Sequence, residues 1–249
     1  MLDYYNKNKS IKKYIVVLVL TLALSIVFFI IYKYHVEGEK NLPFNLTKLM
    51  VVSSAETEEL EFNENLYQAN IIQKNDVFLA IEKNKNYKKQ DAIKKITLNN
   101  FNIIEKGTKG TLKIYRPSME EKTFIYKEEY QINDAMELTG DLNTNLKMEK
   151  MSIANQGGLF EFSMVLGDLG KITYGENENI TSDGTLLKRL DLSMQDIKTS
   201  VLFDMIIELS SGKAYKTTIK LDLPVGNISE EGVSTIENID LNKLVFKRI

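Results

Sequence analysis

The stretch Val201–Leu223, VLFDMIIELSSGKAYKTTIKLDL, shows the clearest strand pattern in the sequence. One face carries Val201, Phe203, Met205, Ile207 and Leu209 before Ser211-Gly212, and Tyr215, Thr217, Ile219, Leu221 and Leu223 after it. The charged residues Asp204, Glu208, Lys216, Lys220 and Asp222 all lie on the opposite face. Strict alternation puts the two sets of side chains on opposite faces of a strand. We therefore predict an antiparallel hairpin with one buried and one solvated face. Pro224 ends it, because proline offers no backbone N–H to a neighbouring strand.

Similar short patterns recur along residues 45–249, separated by turn-forming residues, and helices are few. This organisation predicts a mainly β fold, an antiparallel β-sandwich of Ig-like or jelly-roll topology with a few short helices. One large sandwich and two packed sandwiches with a boundary near residues 117–130 both fit the length. The other strand candidates are Leu46–Ala55, Leu66–Gln73, Val77–Glu82, Ile96–Ile104, Thr111–Tyr115, Lys147–Ala154, Leu159–Leu166 and Leu244–Lys247, with Lys74-Asn75-Asp76 as a turn. The helix candidates are Leu186–Leu190 after Asp183, a second opened by Ser193–Asp196 in a capping-box variant, and a third around Tyr87–Lys95.

The segment Tyr14–Tyr32, YIVVLVLTLALSIVFFIIY, contains no charged residue, Gly or Pro. As a helix it would be roughly 28 Å long, close to the hydrocarbon thickness of a bilayer. A soluble helix of this length normally keeps a polar stripe, and none is present here. We therefore predict a single transmembrane helix at residues 14–32.

The flanks of this segment predict its orientation. The Lys excess lies on the N-terminal side, so that side is expected to stay in the cytoplasm. No small-x-small cleavage pattern follows the apolar run, which favours an uncleaved signal anchor. The resulting organisation is a cytoplasmic tail at 1–13, a juxtamembrane linker at 33–44 and an extracytoplasmic domain at 45–249.

The composition excludes several kinds of site. Without Cys there can be no disulfide, thiolate nucleophile or zinc ribbon, and His35 is the single histidine. A net charge of −2 gives no general attraction to nucleic acid, so no nucleic-acid partner is predicted. An exterior domain without Cys, together with the preference for Lys and Asn over Arg, indicates a bacterium, in our interpretation a Gram-positive of low GC content.

No catalytic, metal-binding or cofactor-binding residue can be assigned from motifs. Asp141–Asn145 matches the first three ligand positions of a calcium loop, but Leu146 and Ser152 replace the Gly and Glu that such a loop needs. Ser210–Lys213 fits S-x-x-K, yet that motif belongs at the start of a helix and here follows a strand. We interpret both stretches as turns.

Carboxylates remain the main source of chemistry in the exterior domain. A glycosidase needs two of them about 5 to 9.5 Å apart in a cleft, and sequence alone cannot place such a pair. Acidic residues cluster at Glu56–Glu61, Glu120-Glu121, Glu128-Glu129 and Gly175–Asn179, where solvated surface is our interpretation. The aromatic residues with no clear core position are Phe101, Tyr115 and Tyr174.

Four stretches carry a family resemblance: VEGEKNLPF at 36–44, LMVVSSAE at 49–56, IANQGG at 153–158 and LDLPVGN at 221–227. Their arrangement resembles a group of uncharacterised membrane-anchored proteins from clostridia and related Firmicutes, over nearly the whole chain. The resemblance implies a bacterial source and an anchored topology. That family has no assigned activity or site, so no functional residue carries over.

The function expected from these features is a non-enzymatic binding or scaffolding module at the bacterial cell envelope. Its partners would be the membrane and either an envelope protein or a wall polymer. Clusters of exposed apolar residues on a sheet face or edge would support this hypothesis. The alternatives are a wall-active hydrolase using a carboxylate pair and a ligand-sensing subunit that acts through a membrane partner.

Overall fold

The predicted hairpin forms from strands β9 (Thr199–Leu209) and β10 (Ala214–Leu223). They pair antiparallel in unbroken register, from Ala214 opposite Glu208 to Leu223 opposite Thr199. The alternating apolar side chains are buried, and residues 210–213 make the turn. The prediction of strands and turn is therefore confirmed.

The computed structural model describes residues 2–63, 66–87, 91–118, 123–139, 157–175, 178, 180–181, 183–239 and 241–249. An N-terminal helix, α1, covers Leu2–Glu37. The remaining strands are β1 (Phe44–Asn63), β2 (Leu66–Lys83), β3 (Ile93–Lys106), β4 (Thr111–Tyr115), β5 (Pro117–Ser118), β6 (Thr123–Phe124), β7 (Ala135–Thr139), β8 (Gly157–Gly175), β11 (Val233–Glu237) and β12 (Lys247–Arg248). Short helices are α2 (Thr185–Arg189), α3 (Met194–Ile197) and α4 (Ile228–Glu231), with 3₁₀ turns at Glu128–Tyr130 and Leu241–Lys243.

Two five-stranded antiparallel sheets pack face to face as a sandwich. Sheet A has the order β11-β1-β2-β8-β4 and sheet B the order β12-β10-β9-β3-β7. Their inner faces share one core, to which Leu79 and Phe162 contribute from sheet A and Leu98 and Phe203 from sheet B. Each sheet takes strands from both sides of residues 117–130. The mainly β, antiparallel fold class expected from the sequence is thus observed.

Sheet B covers only part of β1, β2 and β8. The rest of these three strands packs against the short helices. This second core joins Ile71 and Leu169 of sheet A to Leu187 of α2 and Ile197 of α3. Helix α3 begins with the predicted capping box, in which the side chains of Ser193 and Asp196 satisfy backbone groups at the first turn. Strands β1, β2 and β8 are therefore covered by sheet B along one part of their length and by short helices along the other.

Three local predictions were wrong. Lys74-Asn75-Asp76 is not a turn but lies inside β2, which is continuous from Leu66 to Lys83 because β1 and β8 pair with it on both sides. The helix expected around Tyr87–Lys95 is not formed in the described part of that range, where Ile93–Lys95 open β3. The last strand is only Lys247–Arg248, so it is shorter and later than Leu244–Lys247. The candidate strand Lys147–Ala154 and the Asp141–Ser152 loop lie outside the described residues.

Helix α1 passes beyond both ends of the predicted membrane segment. It includes residues of the predicted 1–13 tail and continues to Glu37, so the expected linker at 33–44 shortens to the residues between Glu37 and Phe44. The part Lys13–Glu37 is long and apolar enough to span a membrane by length and composition, and none of it is buried against the protein. Inside it, the hydroxyls of Thr21 and Ser25 donate to the carbonyls four residues earlier, as expected for polar groups in an apolar segment.

Candidate functional site

The outer face of sheet A, opposite the shared core, is the candidate functional site. Inward residues of β1, β2 and β8 alternate with outward ones, and the strand register arranges the outward ones in rows. One row joins Met50, Phe78 and Glu161, and the next joins Val52, Asp76 and Ser163. The following row joins Ser54 and Lys74 to Val165.

The part of this face nearest helix α1 is apolar and open to solvent. We call it the apolar strip, formed by Met50, Val52, Phe78, Ala80 and Leu159. Leu159 exposes 49% of its surface, and the other four residues are partly exposed. Charged residues border the strip, with Lys48 paired to Glu237 at 3.1 Å on one side and Glu161 on the other. An exposed apolar patch with a polar rim is typical of an interaction surface.

The next rows carry a cluster of charges centred on Lys74. Its ammonium Nζ lies 3.2 Å from Asp76 Oδ2 and 3.7 Å from Glu56 Oε1. The Ser54 hydroxyl donates to Glu56 Oε1 at 2.7 Å and so fixes that carboxylate. Lys74 and Asp76 expose only 19% and 17% of their side chains, so this ion pair is largely removed from water.

An aromatic segment, residues 123–130, covers the Lys74 cluster. The rings of Phe124 and Tyr126 each lie 5.9 Å from Lys74 Nζ, within the range of cation–π attraction. The Tyr126 ring meets that of Tyr115 edge-on at 5.2 Å, and a small apolar cluster of Ile72, Tyr115 and Val165 supports it from the sheet. The segment thus covers one half of the outer face and leaves the apolar strip open.

Three buried polar atoms under the segment have no hydrogen bond of normal geometry to any described residue. They are Asp76 Oδ1, Tyr126 Oη and Ser163 Oγ. Ser163 is fully buried and is the register partner of Asp76 on β8. Its hydroxyl is nevertheless close enough to Asp76 and Tyr126 to lower the pKa of both. Buried polar groups usually make well-formed hydrogen bonds, so three such atoms in one place distinguish this cluster from the rest of the outer face.

Burial dominates the electrostatics of this site. It raises the pKa of Asp76, although the charge of Lys74 opposes the rise. It also raises the pKa of Glu161, and the charge of Asp76 adds to that effect. Tyr126 has a pKa raised to about 12 by burial. Burial alone would lower the pKa of Lys74, but Asp76, Tyr126 and Glu56 together outweigh it and raise that pKa instead, so Lys74 stays protonated.

Sequence reasoning missed the two carboxylates that matter most here. Asp76 was assigned to a turn, and Glu161 lies in a strand where nothing singled it out. The signal that could have found them is the run of polar residues at 73–76 between apolar stretches of β-forming residues. In a paired central strand, such residues must find polar partners across the sheet.

The acidic candidates from the sequence are mostly surface groups. Glu56 joins the Lys74 cluster, while Glu58 is exposed on the same face of β1. Glu128 and Glu129 form an exposed 3₁₀ turn. Glu178 pairs with Arg189 at 2.9 Å. Glu120, Glu121 and Glu176, the other charged residue of Gly175–Asn179, lie outside the described residues.

The remaining candidates are also placed. Ser210–Lys213 forms the hairpin turn, where Ser211 donates to Asp91 from both its N–H and its hydroxyl, so the interpretation as a turn is confirmed. Tyr115 proves to be buried, and Phe101 packs on the core rings of Phe162 and Phe203. Tyr174 stacks on Tyr67 with ring centroids 5.3 Å apart. In the part of the chain that the structure describes, no group of three or more His, Cys, Asp or Glu side chains could hold a metal ion.

Comparison with known proteins identifies no family. No family model matches the chain, and no curated protein matches it. Among solved structures, the Clostridium perfringens delta-toxin is similar over 85% of this chain and 99% of its own, at 11% identity and a TM-score of 0.18. At that TM-score the similarity carries no argument about fold or function.

Proposed function

We propose that this protein is a single-pass membrane protein whose exterior β-sandwich binds a partner at the bacterial cell envelope through the outer face of sheet A. The observation that carries the proposal is the apolar strip beside the covered Lys74 cluster. The solvent side of an antiparallel sheet is normally polar, and among the described residues no buried apolar cluster includes the side chains of this strip. Five partly exposed apolar residues in adjacent rows are instead the arrangement that partner binding uses.

Anchoring by α1 supports the same role. The helix is exposed along its apolar part, and a membrane would remove that surface from water. The Lys-rich N-terminal flank favours a cytoplasmic N-terminus, and this supports an exterior location for the sandwich. The clostridial resemblance is consistent with this envelope location, and the proposal requires no enzymatic activity.

Site-specific photo-crosslinking tests the proposal in native membranes. A benzoylphenylalanine replaces Leu159 in the full chain, and adducts are separated after irradiation. Ile104, at the end of β3, exposes a similar 47% of its surface on the other sheet and is the matched control position. We expect a discrete adduct from position 159 that position 104 does not give.

A second variant shows whether the strip itself binds. Ala80 lies opposite both Leu159 and Lys48, so Ala80→Glu puts a charge into the strip while Lys48 can pair with it and keep the strand folded. The adduct from position 159 should then fall at least about tenfold, as expected when a desolvated contact receives a charge. Equal adducts from positions 159 and 104, or an adduct insensitive to Ala80→Glu, would contradict binding at this face. The mass of the adduct distinguishes an envelope protein from a wall polymer.

A second candidate function, hydrolysis of a wall polymer, is favoured by one specific observation. Asp76 and Glu161 occupy diagonal positions on neighbouring strands beside the aromatic segment, and both have a raised pKa. The backbone positions of diagonal neighbours lie about 7–8 Å apart, which allows their carboxyl groups to reach the separation that glycosidases use. A half-buried acid with a raised pKa can serve as a proton donor.

The hydrolase hypothesis has its own test. The full chain in detergent is incubated with purified cell wall, and released saccharides are measured for the native protein and for Asp76→Asn and Glu161→Gln. Hydrolysis predicts release that each substitution lowers at least about a hundredfold, since general acid–base groups contribute about that much. Release that is absent, or unchanged by both substitutions, would contradict the hydrolase hypothesis and leave partner binding as the remaining proposal.

A further inference from the structure

The C-terminal turn of helix α1 is docked on the sandwich by specific contacts. The N–H of Glu39 donates to the Phe246 carbonyl at 2.8 Å, and the Tyr34 hydroxyl accepts a hydrogen bond from the Arg248 N–H at 2.8 Å. Gly38 ends the helix with φ of 69°, and its Cα lies so close to the Phe246 carbonyl that no Cβ would fit. Strand β12 is therefore attached directly to the last turn of the helix.

This attachment fixes the depth of β12 relative to a bilayer. Tyr34 lies two residues beyond the predicted apolar segment, about 3 Å farther along the helix axis. The headgroup layer is about 5–7 Å thick on each side of the hydrocarbon core. Residues bonded to Tyr34 therefore lie at headgroup level. Ile249, which donates its N–H to the Ala214 carbonyl, brings the neighbouring hairpin turn to the same level.

This end of the sandwich carries cations that no described carboxylate pairs at close range. We call these four cations the basic collar: Lys33, Lys213, Lys247 and Arg248. Lys247 Nζ lies 3.5 Å from His35 Nδ1, and Lys213 donates to the Tyr87 hydroxyl at 3.4 Å, but neither partner is an anion. Among the described residues, no Asp or Glu carboxylate lies within ion-pair distance of any of them. The carboxylates nearby are Glu37, which Lys40 pairs at 2.7 Å, Asp91, which accepts from Ser211, and Glu39. Ile249 adds an apolar side chain that is 65% exposed.

We propose that the basic collar binds the headgroups of anionic phospholipids in the leaflet from which α1 emerges, with Ile249 inserted beside them. The inference rests on the membrane anchoring proposed above and adds a lipid preference to it. Cations held at headgroup depth attract anionic lipid, and one exposed apolar side chain next to them is favoured at the interface. The docked junction means that this binding sets the orientation of the whole sandwich.

A single-label experiment on the full chain tests the collar. Because the sequence contains no Cys, Asn86→Cys gives one labelling site, on an exposed side chain near the collar. The site is close because Asn84 donates to the Pro43 carbonyl and Tyr87 contacts Lys213. The protein carries a fluorophore there, in nanodiscs of phosphatidylcholine alone or with about one third phosphatidylglycerol. Quenching by headgroup-nitroxide lipid reports contact with the bilayer.

We expect quenching to be at least about twofold stronger with the anionic lipid and to weaken at high salt. The triple variant Lys213→Gln, Lys247→Gln, Arg248→Gln should abolish the lipid difference. The matched control is Lys109→Gln, Lys171→Gln, Lys188→Gln, which removes the same charge from exposed residues away from α1 and should keep it.

The outcomes separate this inference from the anchoring on which it rests. Retention of the protein in nanodiscs without a lipid difference, or an equal loss in both triple variants, would overturn the collar alone. Failure of the chain to stay in nanodiscs of either composition would overturn the membrane anchor and the collar with it.

Discussion

The outer faces of the two sheets each hold a lysine between two carboxylates, and the two lysine side chains are similarly buried, 19% exposed for Lys74 and 26% for Lys95. Aromatic rings lie over Lys74 and, among the described residues, not over Lys95. Lys95 on sheet B lies 3.1 Å from both Glu137 and Glu208, and Glu137 exposes 52% of its side chain. Lys74 on sheet A lies between Asp76 and Glu56 beneath the aromatic segment, and Asp76 exposes only 17%. Similar ion pairs therefore lie on a solvent-exposed surface on sheet B and in a partly buried site on sheet A.

Removing each lysine is the strongest way to test this difference. Lys74→Gln leaves Asp76 without its cation in a partly buried place, so we expect a loss of about 2–4 kcal/mol in the free energy of unfolding. Lys95→Gln breaks an exposed pair and should cost about 0–1 kcal/mol. Denaturant unfolding of the full chain in detergent, followed by circular dichroism, measures both. Equal losses would show that the covering segment does not change the energetics of the pair.

The position of Lys74 also shows where sequence reasoning succeeds and fails. The hairpin of β9 and β10 was predicted because its alternation is local and unbroken. Lys74-Asn75-Asp76 looked like a turn because the polar run interrupts the apolar pattern. In the fold, Asn75 is fully buried: its amide donates to the Met164 carbonyl at 3.0 Å and its side-chain oxygen accepts from Ser53 at 2.7 Å. Partners from β1 and β8, distant in sequence, therefore make this segment a strand.

The candidate site could not be predicted for the same reason. Glu161 and Asp76 lie 85 positions apart in the numbering and meet only through the pairing of β2 with β8. The aromatic segment that covers them comes from residues whose short strands carry no clear period. Sequence predicted the fold class from local periodicity, but which faces remain open depends on how the strands and connections pack.

The aromatic cover itself can be removed. Tyr126→Ala deletes the ring over Lys74 and its edge-on contact with Tyr115, and we expect a loss of about 2 kcal/mol, below the range for a fully buried aromatic. Tyr126→Phe is the matched control, because it keeps the ring and removes only the hydroxyl with its contacts to Lys74 and Ser163, and it should cost no more than about 1 kcal/mol. Faster proteolysis at residues 123–130 in the Ala variant alone would confirm that the ring holds the segment. A larger loss with Phe than with Ala would contradict it.

Asp204 on sheet B has a lowered pKa, whereas Asp76 on sheet A has a raised one. Burial alone would raise the pKa of Asp204, but hydrogen bonds from Asn100, Lys216 and Thr218, at 2.6–2.7 Å, hold it below its usual range. Asp204→Asn should therefore cost about 1–2 kcal/mol at pH 7. Because the folded pKa is lowered, this contribution is present above the unfolded value of about 3.9 and is lost as pH falls through the folded pKa. A difference between native and variant that stays constant from pH 7 to pH 3 would contradict that assignment.

Glu161 on sheet A should respond to pH with the opposite sign and the smallest effect. Its folded pKa is raised by burial and by the charge of Asp76, so the folded protein binds this proton more tightly than the unfolded chain does. Its favourable contribution is therefore complete below the unfolded value of about 4.3 and is lost as pH rises through the folded pKa. At pH 7 the native protein holds a poorly solvated charge, which Glu161→Gln removes. The variant should melt at a higher temperature than the native protein at pH 7, and the gap should close as pH approaches about 4.

The matched control is Glu208→Gln, which removes a sheet B carboxylate that already has a cation, Lys95, at 3.1 Å. It should give no gain in melting temperature at pH 7. If both substitutions raise the melting temperature equally, the gain comes from the lower net negative charge and not from the environment of Glu161. If only Glu161→Gln raises the melting temperature, the Glu161 carboxylate destabilises the native protein at pH 7 in its position beside the apolar strip. Carboxylates with perturbed pKa values are concentrated at functional sites, so that result would add support to the proposed use of this face.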